Sequence, residues 1–320
     1  MTENQFSWET FTRQFGGTLN EGEFEVPKLR KNNDSSPQLI PLTQLSTIKF
    51  LGTDASSFLD SQLTTQISSL RTGQLHQSGY CNPKGRLIAT PYLHKTEEAI
   101  YALIPTDLRE IFSQHISKFV MRSKVTISTA ENKVLFGIIS ESNQDVASYI
   151  SKNNATYLAL DDTKGIVITN TENASEVSKD LLRHFQLRSH QVWRKNLIDK
   201  GIVNIDATST SVYLPQMIGL DKRGGVSFDK GCYPGQEIVA RTRYLGKTKR
   251  ELYRFESPGG IFAGESIKVK NGDKLGSILN VATSDSGDRV FGLAVLRIGS
   301  QTEENVVSES GSKIIITEKF

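Results

Sequence analysis

Apolar positions change period several times along the chain. Thr47-Ile-Lys-Phe-Leu51 alternates weakly and predicts a strand. Thr53 then offers a helix cap, and Leu59, Leu63, Ile67 and Leu70 would share one face of the helix that follows. Two strand-like runs flank Asn82-Pro-Lys-Gly85, which has the residues of a type I turn: Asn first, Pro second, Gly fourth. Ala99-Ile-Tyr-Ala-Leu-Ile104 predicts another strand. A helix is expected from about Thr106 to Val120, with Leu108, Ile111, Phe112 and Phe119 inward, and Lys124-Val-Thr-Ile-Ser128 closes the series as a strand. This order predicts a compact α+β unit, not a doubly wound sheet.

From about residue 131 the pattern restarts. Val134–Ile139 predicts a strand, a polar helix follows, then Gly165–Thr169 as a strand and a helix from about Ser175. His190–Asp199 reads as a helix carrying Trp193. Gly224-Gly225 reads as a turn before a strand, Val226–Phe228. Past residue 243, Glu251–Phe255, Ser266–Lys270 and Arg289–Val295 are short strands between glycine-rich turns, with Asn271-Gly272 as a hairpin signal. A C-terminal β-barrel is expected there. Residues 1 to about 40 are polar, include SSPQLIP, and read as an irregular arm.

Composition narrows the function classes. At 320 residues, the chain exceeds one ordinary core. No run nears the roughly 18 apolar residues of a membrane span, and the polar start is unlike a secretory signal. Two cysteines make no disulfide framework, which fits a cytoplasmic protein with reduced thiols. The 38 basic and 35 acidic residues nearly balance, so contact with nucleic acid would have to be local. One local run exists: Arg241–Arg250 holds five basic residues, no acid, and Tyr244. It would suit phosphate or an anionic tail, with the aromatic available for stacking; a solvated linker has the same composition.

The stretch Lys230-Gly-Cys-Tyr-Pro-Gly-Gln-Glu-Ile-Val-Ala-Arg241 carries the clearest candidate chemistry. In extended chain Lys230 and Cys232 fall on one side, and a cation or a helix N-terminus favours a thiolate. Pro234-Gly235 fits a helix start, with Gln236 and Glu237 in its first turn anchoring the loop. A small residue in a tight junction turn is the plainer account of Cys232, and Cys81 reads as a strand residue beside a turn. Metal centres are not indicated: the chain has no CxxC and no HExxH, its five histidines are scattered, and two thiols cannot hold an ordinary iron–sulfur cluster. Trp193 reads as core, and Asp199 ends its helix where a carboxylate opposes the dipole and needs another partner.

KGCYPGQEIVAR resembles the signature of the YgfZ family of folate-binding, tRNA-modifying proteins, relatives of the glycine-cleavage T-protein (aminomethyltransferase). Phe50–Leu70, Gly79–Arg86 and Ile205-Asp206-Ala207 through Leu214-Pro215-Gln216 follow in the family's order. The resemblance spans roughly residues 45 to 255. It implies an α+β fold of three domains around a central opening. These would be a split α+β domain (1–52 plus 131–242), an inserted ferredoxin-like α+β domain (53–130) and a C-terminal β-barrel (243–320). It also implies a tetrahydrofolate-type ligand, no membrane, and a cytoplasmic role supporting iron–sulfur enzymes that methylthiolate tRNA. Cys232 and Lys230 then fall on the functional thiol and its lysine. Trp193, Asp199, Tyr233, Gln236, Glu237 and Arg241 become folate-site residues, with Lys230, Arg223 or Arg241 expected near the ligand's glutamate tail. Leu45 replaces a second folate-linked tryptophan.

The T-protein's catalytic aspartate has no counterpart, because Gly85-Arg-Leu-Ile-Ala-Thr90 lacks an acid. That disfavours the main alternative, a folate-dependent aminomethyltransferase. A thiol hydrolase lacks a histidine near a second motif. An RNA-binding module using Arg241–Arg250 is the remaining non-enzymatic alternative.

Overall fold

The computed structural model describes residues 6–26, 37–150, 155–246, 248–270 and 272–320. Their helices are α1 (Trp8–Gln14), α2 (Ala55–Asp60), α3 (Arg109–Ser117), α4 (Asn143–Ile150), α5 (Thr171–Leu181), α6 (His190–Asp199) and α7 (Gln236–Tyr244). Three larger sheets surround them, giving the expected α+β class.

The first sheet has the order Thr156–Ala159, Lys164–Asn170, Lys133–Ile139, Gln38–Pro41, Gln186–Leu187. Only its last pair is parallel. The second runs Thr126–Thr129, Leu45–Leu51, Ala99–Pro105, Tyr92–Lys95, Leu75–Gln77, antiparallel throughout. Past residue 243 a six-stranded antiparallel sheet curls into a half-barrel. Register shifts at Arg254/Phe255, Ile267/Lys268 and Ile278/Asn280 bend its strands.

The cores are continuous between sheets. Ile40, Leu42, Leu103, Leu135, Trp193 and Leu197 form one cluster that joins the first sheet to the second through α6. Ile48, Phe50, Ile205, Tyr213, Leu252 and Leu293 belong to another, which joins the second sheet to the half-barrel. Burying apolar surface at both seams fixes the relative placement of the three sheets.

Several local expectations change. Residues 6–26 are not an irregular arm. They form α1, capped by Ser7, whose Oγ accepts from the Thr10 amide at 3.1 Å, and a hairpin pairing Thr18–Asn20 with Glu23–Glu25. Phe11 and Phe24 are buried, and Trp8 meets Phe136 edge-on at 5.3 Å. The signal was present in the spacing of Trp8, Phe11 and Phe15 and in the turn Asn20-Glu21-Gly22-Glu23.

The helix after Thr53 stops at Asp60, and Asp54, not Thr53, precedes its first turn. The Asp60 carboxylate accepts from the Ile67 and Ser68 amides, and the backbone carbonyls of Asp60, Leu63 and Thr65 turn toward Lys230. Because the helix has ended, these carbonyls have no amide of a following turn and are left for the ammonium. Leu59, Leu63, Ile67 and Leu70 are nonetheless all buried.

The helix expected over 106–120 opens with a 3₁₀ turn at Thr106–Leu108, and α3 ends at Ser117. Its buried stripe is Leu108, Phe112 and Ile116, whereas Ile111 and Phe119 are exposed. Val226–Phe228 is not a strand: Ser227 instead ties to the 64–66 segment through its amide and hydroxyl. Asn271 of the expected hairpin signal lies outside the described residues.

The Asn82–Gly85 turn forms as expected, closed by the Gly85 amide on the Asn82 carbonyl at 2.9 Å. It packs on Gly235, where φ is +80° and an added Cβ would stand 2.5 Å from both Asn82 O and Gly85 Cα. Gly235→Ala should therefore cost roughly 2–3 kcal/mol through left-handed strain and overlap. Urea unfolding measures this directly, and an unchanged midpoint would refute the packing described.

Candidate functional site

A cavity of about 320 Å³ lies between the N-terminal hairpin, the second sheet, α6 and the half-barrel. The N-terminal hairpin contributes Glu21, Gly22 and Glu23. The edge of the second sheet contributes Thr43, Gln44 and Leu45 at one end and Pro105, Thr106 and Asp107 at the other. Helix α6 adds Trp193, Arg194, Leu197 and Ile198; Ile202, Asn204 and Asp206 follow it, and Ala263, Asn280 and Val281 come from the half-barrel side.

Trp193 is 2% exposed. Its ring lies against Gly137, where a Cβ would come within 2.7 Å of the indole. That glycine, in the middle of strand Lys133–Ile139, lets α6 approach the first sheet closely. The Asn280 amide donates to Asn204 O at 2.9 Å, and the Asn204 backbone amide donates to Asn280 Oδ1 at 3.2 Å, clasping the half-barrel to the 202–206 segment. Three buried side-chain oxygens on cavity residues have no partner: Thr43 Oγ1, Gln44 Oε1 and Asn204 Oδ1. Buried acceptors left in that state carry a desolvation cost.

Among the described residues the lining carries four carboxylates, Glu21, Glu23, Asp107 and Asp206, and the guanidinium of Arg194. Asp206 turns Oδ1 onto its own loop, accepting from the amides and hydroxyls of Thr208 and Ser209. Asp107 Oδ2 accepts from the Ala207 amide at 3.0 Å. Glu23 pairs with Arg194 and lies 2.8 Å from Nε2 of the buried His190. Burial works to raise the Glu23 carboxyl. The His190 hydrogen bond, with the positive charge of Arg194, outweighs it and holds the group below its ordinary value.

The signature segment lies elsewhere. Cys232 is exposed. Lys230 has its three ammonium protons on three carbonyls: Asp60 O and Leu63 O, each at 2.6 Å, and Thr65 O at 3.0 Å. Its ammonium stands 5.2 Å from the centre of the Tyr233 ring. Burial lowers the Lys230 pKa to about 8, opposed by the charge of Asp60. The ammonium expected beside the Cys232 sulfur thus anchors the loop to the 60–65 segment, with no proton left for the thiol.

Tyr233 is buried, and burial raises its hydroxyl pKa, with Cys81 adding to the shift. Burial also pushes the Cys81 thiol up to about 12, in keeping with a strand residue. Gln236 opens α7, its amide donating to Tyr233 O at 3.1 Å, while Glu237 and Arg241 are exposed.

Trp193 is thus the one folate-site residue of the sequence expectation that lines the cavity; Asp199, Tyr233, Gln236, Glu237 and Arg241 do not. Asp199 finds the partners its position demanded, Lys195 Nζ at 2.7 Å and Arg254 Nη1 at 3.4 Å. Nor does the expected basic rim form. Arg223 turns inward to Ile218 O, Lys230 is clamped, and neither it nor Arg241 reaches the cavity. Sequence reading missed Gln44, Asn204 and the hairpin carboxylates, because only tertiary contact brings them together. The basic run also divides. Arg243 lies over the Phe228 ring and 3.7 Å from Asp221, and Arg250 donates to Leu275 O, while Arg241, Tyr244 and Lys249 are exposed. Lys247 is outside the described residues. Among the described residues there is no group of three or more metal-ligating side chains, and no helix is long and apolar enough to cross a membrane.

No family model matches the chain. Curated relatives do. It is 28% identical to the tRNA-modifying protein YgfZ of Colwellia psychrerythraea over 310 residues, covering 88% of this chain and 94% of the relative. The corresponding protein of Aliivibrio fischeri is 29% identical over 291 residues (84% and 89%). That of Klebsiella pneumoniae is 28% identical over 279 residues (79% and 85%). The chain resembles the YgfZ proteins over most of its length. Among solved structures, glycine cleavage system aminomethyltransferase T of Bartonella henselae superposes with a TM-score of 0.75 over 97% of this chain and 95% of that one. Identity there is 12%, so the shared property is the T-protein fold.

Two outcomes follow from the site geometry. Because Glu23 titrates below its ordinary value of 4.5, the stability it supplies is complete above about pH 4.5 and is lost as pH falls through the lower folded value. Glu23→Gln should cost about 1 kcal/mol at neutral pH, and the cost should shrink progressively as pH falls below about 4.5, read from urea midpoints across that range. Lys230→Met strands three carbonyls and should cost roughly 2–3 kcal/mol, with alkylation of Cys232 several-fold faster as its loop loosens. An unchanged alkylation rate would mean that the loop is held by other contacts.

Proposed function

We propose that this chain, like the YgfZ proteins it resembles, acts in tRNA modification. It would do so as a cytoplasmic folate-binding accessory protein that supports iron–sulfur enzymes methylthiolating tRNA. The similarity to proteins of that name over 79–88% of the chain carries the assignment to tRNA modification. The cavity supports the folate component. A reduced pterin is flat and rich in N–H donors. Trp193 with Leu45 and Leu197 supplies apolar walls, and Thr43, Gln44 and Asn204 place polar side chains in the same lining. Tetrahydrofolate, when bound, supplies one-carbon chemistry at its ring nitrogens; the residues here would bind and orient the ring.

Cys232 is the functional thiol in this proposal. It is exposed, sits four residues before α7, and is presented by a loop fixed at Lys230 and at Gly235. The exposed Arg241, which ends the signature, and Tyr244 and Lys249 just after it offer a weak tRNA contact. Aminomethyl transfer is disfavoured, because no carboxylate follows Gly85 within Arg86–Thr90.

A deletion strain complemented with Cys232→Ala should stay deficient in methylthiolated tRNA, while the purified variant folds normally and binds tetrahydrofolate as the parent does. Full rescue would remove the thiol from the proposal. Trp193 is 2% exposed and sits in the core seam, so Trp193→Ala should cost roughly 3–5 kcal/mol of stability, read from urea midpoints, besides weakening tetrahydrofolate binding of the folded fraction. Formation of methylene-tetrahydrofolate from an aminomethyl donor would favour the transferase instead.

A further inference from the structure

The end of α3 and the loop after it form a basic surface that neither the cavity nor the signature loop uses. From Ile111 through Ala130 the chain has no acidic residue and carries His115, Lys118, Arg122 and Lys124. Lys118, Phe119, Met121, Arg122 and Lys124 are exposed, Met121 to 88% and Phe119 to 39%. Val120 and Val125 pack on the core below them, so the loop has a fixed inner side and an outer side of cations and apolar groups. The neighbouring carboxylates are occupied: Glu110, two turns earlier on α3, accepts from Gln114, and Asp54 accepts from the Lys124 amide.

The backbone holds this loop in shape. The Ser123 amide donates to Val120 O and the Lys124 amide to Asp54 Oδ2, each at 2.8 Å. At Gly52 an added Cβ would stand 2.0 Å from Lys124 O, so the loop presses on the end of strand Leu45–Leu51. Met121 has φ at +40°, left-handed backbone that is costly for a residue with a side chain. A thioether held in solvent at that cost points to use at the surface. Phe119 leans on His115, with ring centres 5.7 Å apart, which makes it a supported platform and not a protruding anchor. Helix α2 connects this surface to the signature. Asp54, just before its first turn, receives the Lys124 amide, and Asp60, its last residue, gives its carbonyl to Lys230. Its six residues span about 9 Å, so the surface lies one short helix from the loop that presents Cys232.

We propose that the 118–124 surface binds a single-stranded segment of RNA. Lys118, Arg122 and Lys124 meet phosphates, and Phe119 with Met121 meets an unstacked base. The charge of the surface matches a polyanion, and a half-covered ring suits stacking better than insertion into a bilayer. The inference rests on the tRNA-modification reading above and deepens it, giving RNA a contact apart from Arg241, Tyr244 and Lys249.

The test is fluorescence anisotropy of the full chain with two labelled probes, an unmodified tRNA transcript and an oligouridylate of about twelve nucleotides, across a range of salt. Both should bind, more weakly as salt rises. Lys118→Glu combined with Arg122→Glu should weaken both about tenfold or more and leave the urea midpoint unchanged. Arg122→Gln should lower the slope of log affinity against log salt by about 1. Met121→Gly should raise the urea midpoint, by relieving the left-handed residue, and yet weaken binding several-fold. Full RNA affinity in the charge-reversed double variant overturns this inference; if Arg241→Glu with Lys249→Glu then abolishes binding, the tRNA reading stands without it. No RNA binding by the parent protein overturns it too, and leaves tRNA modification to the complementation experiment above. If the double variant instead loses binding to phosphatidylglycerol vesicles and keeps binding to RNA, the surface belongs to a lipid headgroup and the RNA assignment falls.

Discussion

One ammonium group does much to organise this molecule. Lys230 reaches three carbonyls of the 60–65 segment, and those carbonyls have no helical partners because the helix before them has ended. The contact joins the second-sheet unit to the signature loop, and α7 follows immediately. Gly235 completes the junction by admitting the Asn82–Gly85 turn where any side chain would collide. Cys232 lies between these two fixed points, and this is why it is exposed without belonging to a long free loop.

A second seam runs through Trp193. The indole sits on Gly137 of the first sheet and in the cluster shared with the second. The same helix carries Arg194, which with Glu23 ties down the N-terminal hairpin. The cavity lies where the hairpin, the second sheet and the half-barrel meet that helix.

The thiol and the cavity do not share a lining. The sulfur is on the surface beside α7, whereas the cavity is closed by the hairpin, α6 and the half-barrel. In the proposed function, then, the folate site and the thiol act as separate stations. Asp199, expected at the ring, balances Lys195 and Arg254 and thereby fastens α6 to the half-barrel.

By itself, the sequence determined the local elements whose signals are dense: α6 over His190–Asp199, the Asn82–Gly85 turn, and strands such as Lys133–Ile139 and Ala99–Pro105. Neighbour-to-neighbour periodicity and turn chemistry decide those, and both can be read along the chain. The α1 stripe and the hairpin turn were written just as plainly, but isolated aromatics in a polar stretch carry little weight until Phe136 is seen to receive them. Tertiary structure alone decided where α2 stops, what Lys230 holds, and which residues face the cavity. The physical reason is sequence distance: the carbonyls that bind Lys230 lie 165 to 170 residues before it. A charged group takes whatever partner the fold delivers, and no local pattern encodes that partner.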